Sequence, residues 1–132
     1  MKIAGKLLLI VLVAIGCKNE RVDLQDTPHA LARARKACGQ NALPWLEDLL
    51  TKAEADRTSQ AHQGQYIGTV SLIKYQGTPL FYTNFGLGSG GIAYYLFDCQ
   101  GKPFFITGED GAKVLGQATK KENILYSTLD LN

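Results

Sequence analysis

Three residue types in this 132-residue chain have the chemistry to do more than pack: three cysteines, two histidines and a glycine-rich run. Gly86-Leu87-Gly88-Ser89-Gly90-Gly91 matches the letters of the G-x-G-x-x-G dinucleotide fingerprint. That chemistry needs the glycines to open a helix whose amino terminus faces a pyrophosphate. A β-rich run follows instead, so the segment reads as a loop between antiparallel strands. His29 and His62 have no Cys, Asp or Glu at metal-ligand spacing on their own element, and no metal site is expected. Glu109-Asp110 supplies two carboxylates where a calcium loop alternates several over twelve residues, so it reads as a turn. Ser59, Ser71, Ser89 and Ser127 lack the G-x-S-x-G setting of an activated nucleophile, and neither histidine is placed as their base. No catalytic residue and no cofactor is expected from these patterns.

Cys17 stands at the end of a different pattern. Lys2 and Lys6 give a short positive region, Leu7 to Ala14 is an unbroken apolar run, and Ala14-Ile15-Gly16-Cys17 follows. The apolar stretch is too short to span a bilayer, which takes about 20 residues, and it has the form of a signal-peptide h-region. The four residues resemble the lipobox of bacterial lipoproteins, with Ala14 where Leu is commoner. The resemblance implies diacylglycerol in thioether linkage on Cys17, cleavage before it, and acylation of the new amino terminus. Two or three acyl chains, each buried methylene contributing about 0.8 kcal/mol, anchor stably where one does not. The alternative is an ordinary secretory signal with a chance cysteine at its cleavage site. Lys18-Asn19-Glu20 lacks the Asp after the cysteine that retains lipoproteins at the inner membrane of enteric bacteria, so the outer membrane is favoured, facing either periplasm or exterior.

Export changes what the other cysteines can do. Cys38 and Cys99 would lie outside the reducing cytosol, where a disulfide is allowed. Closing a loop of about 60 residues would stabilise the fold by roughly 3 to 4 kcal/mol in the chain-entropy picture. The alternatives are two buried thiols or a redox-active cysteine, the second disfavoured because no partner stands at two-residue spacing. Charge shifts too. The chain has 14 Lys and Arg against 12 Asp and Glu, and losing Lys2 and Lys6 brings the two into balance. No basic face for nucleic acid or anionic lipid is implied.

The elements that position these groups divide the chain into a lipoprotein signal at 1–16, a lipidated, flexible polar tether at 17–26 and one α+β domain at 27–132. Thr27-Pro28 reads as a capped helix start, with the helix running to Cys38 and stopped by Gly39. Leu43-Pro44 opens a second helix to about Ser59, with Trp45, Leu46, Leu49, Leu50 and Ala53 on its apolar side and Asp56 among the polar residues opposite. Strands follow at Tyr66–Tyr75, Pro79–Asn84, Ile92–Cys99 and Pro103–Thr107, the first two joined by a Gln76-Gly77 turn. One helical turn is expected around Ala112–Gln117, and Asn123–Leu129 is a fifth strand or a docked tail. The expected class is α+β: one or two N-terminal helices packed on a four- to five-stranded antiparallel β-meander. Tyr94-Tyr95-Leu96-Phe97 and Phe104-Phe105-Ile106 are apolar on both parities, so both sheet faces are covered or one is a binding surface.

At Leu43-Pro44-Trp45-Leu46-Glu47-Asp48-Leu49 and Phe97-Asp98-Cys99-Gln100-Gly101-Lys102-Pro103 the chain resembles a group of small, uncharacterised lipoproteins of Bacteroidota. These carry a lipobox, a cysteine shortly before an L-P-W-L helix, a tyrosine-rich first hairpin and an aromatic-D/N-C-x-G turn. The similarity spans roughly Cys38 to Gly108. Other members carry extra cysteines where Gly86–Gly91 and Phe104-Phe105 stand here, and that departure implies that Cys38 and Cys99 partner each other. The group has no established activity to carry over.

The functional expectation is a lipid-anchored, non-enzymatic binding or inhibitor module. Its contact surface would comprise Gly88, Ser89, Gly90, Tyr82 and Tyr94, and its partner an envelope protein or glycan. The alternatives are a small envelope enzyme with a site assembled only in three dimensions, and a structural envelope component.

Overall fold

The computed structural model describes residues 23–87 and 94–131. Helix α1, Thr27–Cys38, begins one residue earlier than its hydroxyl suggested: the cap is Asp26, whose carboxylate accepts from His29 N at 3.1 Å. Thr27 is already helical, and a carboxylate suits the positive end of the helix better than a hydroxyl. Gly39, at φ 61°, ends α1 in the left-handed conformation. Helix α2, Pro44–Ser59, buries Leu46, Leu50 and Ala53 as its pattern requires, and with them Asp56. Trp45 is half-buried at the edge of that stripe.

Strands β1 (Thr69–Tyr75) and β2 (Thr78–Thr83) form a hairpin across Gln76-Gly77, whose φ values of 49° and 79° are those of a type I′ turn. Strand β3 is the short Tyr95–Phe97, paired antiparallel with β2. Next, expectation and structure part. Pro103–Thr107 is not a strand: it makes one bridge, Pro103 to Phe97, and one further bond, Phe104 N to Leu96 O at 2.8 Å. Pro103 has no N–H to give the ladder. The chain then forms a full helix, α3 (Glu109–Ala118), where a single turn was expected. A 3-10 turn at Lys121–Asn123 leads into β4, Ile124–Ser127. Strand β4 pairs antiparallel with β1, giving the order β3-β2-β1-β4. Only β1 to β3 form a meander, because the passage through α3 carries the chain to the opposite edge. The class is α+β, with three α-helices and a four-stranded antiparallel sheet among the described residues.

The double apolar parity of the strands has a direct explanation. Val70, Phe81 and Tyr126 pack with Leu31, Leu46 and Leu50 of α1 and α2. Ile73, Leu80, Tyr82 and Leu96 pack with Val114 and Ala118 of α3, flanked by Phe104 and Ile106. Because side chains alternate across a strand, these are opposite faces of one sheet. Helices cover both, so neighbours such as Phe81 and Tyr82 are each buried, on different sides.

Candidate functional site

Cys38 and Cys99 are bonded, with Cα atoms 5.8 Å apart, joining the last residue of α1 to the residue two beyond β3. The turn that presents Cys99 is built by Asp98. Its Oδ1 accepts from Gln100 N at 2.9 Å and Lys102 N at 3.0 Å, and its own N–H donates to Lys102 O at 2.9 Å. Such an Asx turn needs a short acid or amide at the first position. Trp45 closes the arrangement: its Nε1 donates to Cys99 O at 2.9 Å, and its ring lies against Phe81 edge-on and Phe97 at a tilt. Gly101, at φ +80°, passes so close that a Cβ would stand 2.5 Å from Trp45 Cγ. The L-P-W-L and D-C-x-G segments therefore form one contact, made by a hydrogen bond and a glycine with no room for a side chain, while the disulfide ties the same turn to the end of α1.

The expected contact surface is only partly in view. Cys17, Gly88, Ser89 and Gly90 lie outside the described residues. Tyr82 is nearly covered, at 9% exposure, on the α3 face. Tyr94 stacks on it, ring centroids 6.0 Å apart and 25° between planes, and is itself 51% exposed. The water-facing part of this pair is thus Tyr94, with Tyr82 as its support. Phe105, which the apolar run Phe104–Ile106 hid in the sequence, is 88% exposed because its neighbours on either side turn inward.

The perturbed titratable groups hold elements together. Burial pushes the Asp56 carboxyl up, but N–H groups of Tyr66, Gly64 and His62, at 2.9, 3.0 and 3.1 Å, outweigh that and hold it below the usual carboxylate range. Asp56 is thus the last-turn residue of α2 that folds 62–66 back onto the helix. The sequence pattern put it on the polar side. Glu54 is held low chiefly by its hydrogen bond from the Arg57 guanidinium, and it also accepts from Tyr126 Oη at 2.7 Å. Tyr126 is fully buried, and burial first, then Glu54, pushes its phenol well above the ordinary value. Tyr75 donates to Asp110 at 2.8 Å, which raises its phenol and pins α3 to β1. Of the serines, Ser71 donates to Ala118 O at 2.7 Å and Ser127 accepts from Leu129 N at 3.0 Å, so both bond backbone. Among the described residues no three His, Cys, Asp or Glu side chains converge as metal ligands.

A second surface had no counterpart in the sequence reading. Beside β4, an open groove of about 1010 Å³ runs between the start of α1, the 3-10 turn and Leu129–Leu131. Arg33 forms part of its wall, donating to Ile124 O at 3.1 Å and Glu122 O at 3.2 Å. The only sequence signal for it was the apolar alternation of Leu129 and Leu131 after β4. Among the described residues no helix is long and apolar enough to cross a membrane. Compared with protein families, curated proteins and solved structures, the chain matches none.

Proposed function

We propose that this chain is a lipid-anchored binding module of the bacterial cell envelope, held at the outer membrane through Cys17 and engaging an envelope protein or glycan. The observation that carries this reading is Tyr94: a half-exposed ring, supported from behind by a buried Tyr82, three residues after the glycine-rich segment in sequence. An aromatic ring kept in water on a rigid base is apolar area available to a partner, with little side-chain entropy left to lose. Phe105 adds a second exposed ring. The packing of Trp45 against the Asp98–Lys102 turn supports reading the two motifs shared with the small Bacteroidota lipoproteins as a scaffold, with contact specificity lying elsewhere.

Two experiments test the reading. Metabolic labelling with radioactive palmitate should mark the protein and not its Cys17→Ser variant; an unlabelled wild-type protein refutes the anchor. Immobilised protein beginning at Lys18, without the signal segment and Cys17, should retain an envelope protein or glycan from detergent-solubilised membranes, and Tyr94→Ala in that protein should lose it without a change in unfolding midpoint. Equal retention by the Tyr94→Ala variant, or no retention under mild conditions, refutes the binding surface.

A further inference from the structure

We infer that the end of the domain around Asp23 and Leu129–Leu131 is a bilayer-docking face, on which the anchored protein lies against lipid. The inference rests on the reading that Cys17 carries lipid. Asp23 is six residues beyond Cys17, a stretch that reaches at most about 20 Å. From Asp23 onward the chain is fixed to the domain. Leu24 O accepts from Ser127 N of β4 at 2.8 Å, Gln25 N donates to Asp23 Oδ1 at 2.9 Å, and Asp26 N donates to Asp23 O at 3.2 Å. The exit point therefore sits on the outer side of β4, and whatever holds Cys17 is held close to that side.

The surface found there suits lipid. Leu129 and Leu131 are 43% and 38% exposed, and Leu24 lines the same groove. Its charges are mixed: Arg33 and Lys121 line it together with Asp23, Glu122 and Asp130. With two lysine and arginine cations against three carboxylates, the face has no positive excess to draw it to anionic headgroups, so its contact is the apolar one, leucines entering the headgroup and acyl boundary. Two or three partly exposed leucines make a weak site. An anchor holds that site next to the bilayer at a high effective concentration, and a site too weak to recruit the free domain is then occupied.

The test uses the full lipidated protein in phosphatidylethanolamine vesicles, with and without one part in four of phosphatidylglycerol, followed by hydrogen exchange. Relative to protein beginning at Lys18, without the signal segment and Cys17, in solution, amides in 23–29 and 128–131 should exchange at least about fivefold more slowly at both lipid compositions. Leu129→Glu/Leu131→Glu should remove that protection while the protein still fractionates with the vesicles. Protein that fractionates with vesicles but exchanges at the free rate in both segments overturns the docking face and leaves the anchor standing. Protection found only with phosphatidylglycerol, or only around Tyr94, overturns it as well. Protein without lipid on Cys17 that stays in solution overturns the anchor and the docking face together.

Discussion

Replacing Gly101 with alanine probes the contact between the Asp98–Lys102 turn and α2. The new Cβ would stand 2.5 Å from Trp45 Cγ and 2.8 Å from Cδ2, on a backbone at φ +80°. The indole has little room to retreat, since Phe81 and Phe97 lie 5.2 and 5.6 Å from it between ring centroids. Its Nε1 is also bonded to the loop that would push it. Gly77 supplies the control: its φ is +79°, and nothing lies within 4 Å of its would-be Cβ. Gly77→Ala therefore carries the left-handed backbone cost alone, about 1 to 2 kcal/mol. Gly101→Ala adds overpacking of about 1 to 3 kcal/mol, for roughly 2 to 5 kcal/mol in all. Urea unfolding followed by intrinsic fluorescence measures both, and Trp45, the sole tryptophan, reports on the site itself. The expected result is a lower midpoint for Gly101→Ala than for Gly77→Ala, with shifted native emission in the former only. Equal midpoints with unchanged emission would show that the indole yields freely and that no such contact constrains the turn.

Removing the disulfide by Cys38→Ala/Cys99→Ala should cost about 4 kcal/mol by loop-closure entropy across a separation of 61 residues; denaturant unfolding measures it, and a loss under 1 kcal/mol refutes the estimate. Tyr126→Phe strips Glu54 of a hydrogen bond at a buried phenol and should cost about 1.5 to 3 kcal/mol at neutral pH, read from the same unfolding curves. Asp56 is held below its unfolded value, so its contribution is complete above that value and is lost as pH falls through the folded one. Wild-type stability should therefore fall more steeply than that of Asp56→Asn below about pH 4, and parallel acid-unfolding curves would contradict this.

Helices α1 and α2 and the first hairpin were legible because their signals are local. Pro28, Pro44 and Gly39 mark helix ends by what their own backbones can do, and Gln76-Gly77 marks a turn the same way. The Cys38–Cys99 bond was allowed by the cysteine count and by the expected export, beside the alternative of two buried thiols, and the structure shows it formed. What stayed hidden is non-local. Phe104 and Ile106 have the alternation of a strand, yet they serve as cover for the α3-side core, and the place beside β1 goes to Ile124–Ser127. No pattern within either segment says which of the two pairs. Helix α3 was underestimated because Gly111 and Gly116 lower its propensity, while Val114 and Ala118 earn their place by packing. Asp56 looked like one more surface acid because its three partners lie 6 to 10 residues further on, in a turn with no apolar period. Of the candidate surface, Tyr94 was readable only as one of an adjacent aromatic pair, and its setting depends on the distant Tyr82 on which it stacks.

The bond from Ser127 N to Leu24 O joins nearly the first described residue to one of the last, and Arg33 of α1 holds the carbonyls of Glu122 and Ile124. The consequence is one of timing. A chain delivered from its amino terminus can form α1 and α2 early, but their partners on β4 do not exist until residue 127 has emerged. Up to that moment β1 has an open edge, and the half of the core built on Tyr126 is missing. Folding is thus gated by the last of the described strands to arrive, and loss of the chain from residue 124 onward would leave an unsealed sheet rather than a slightly smaller domain.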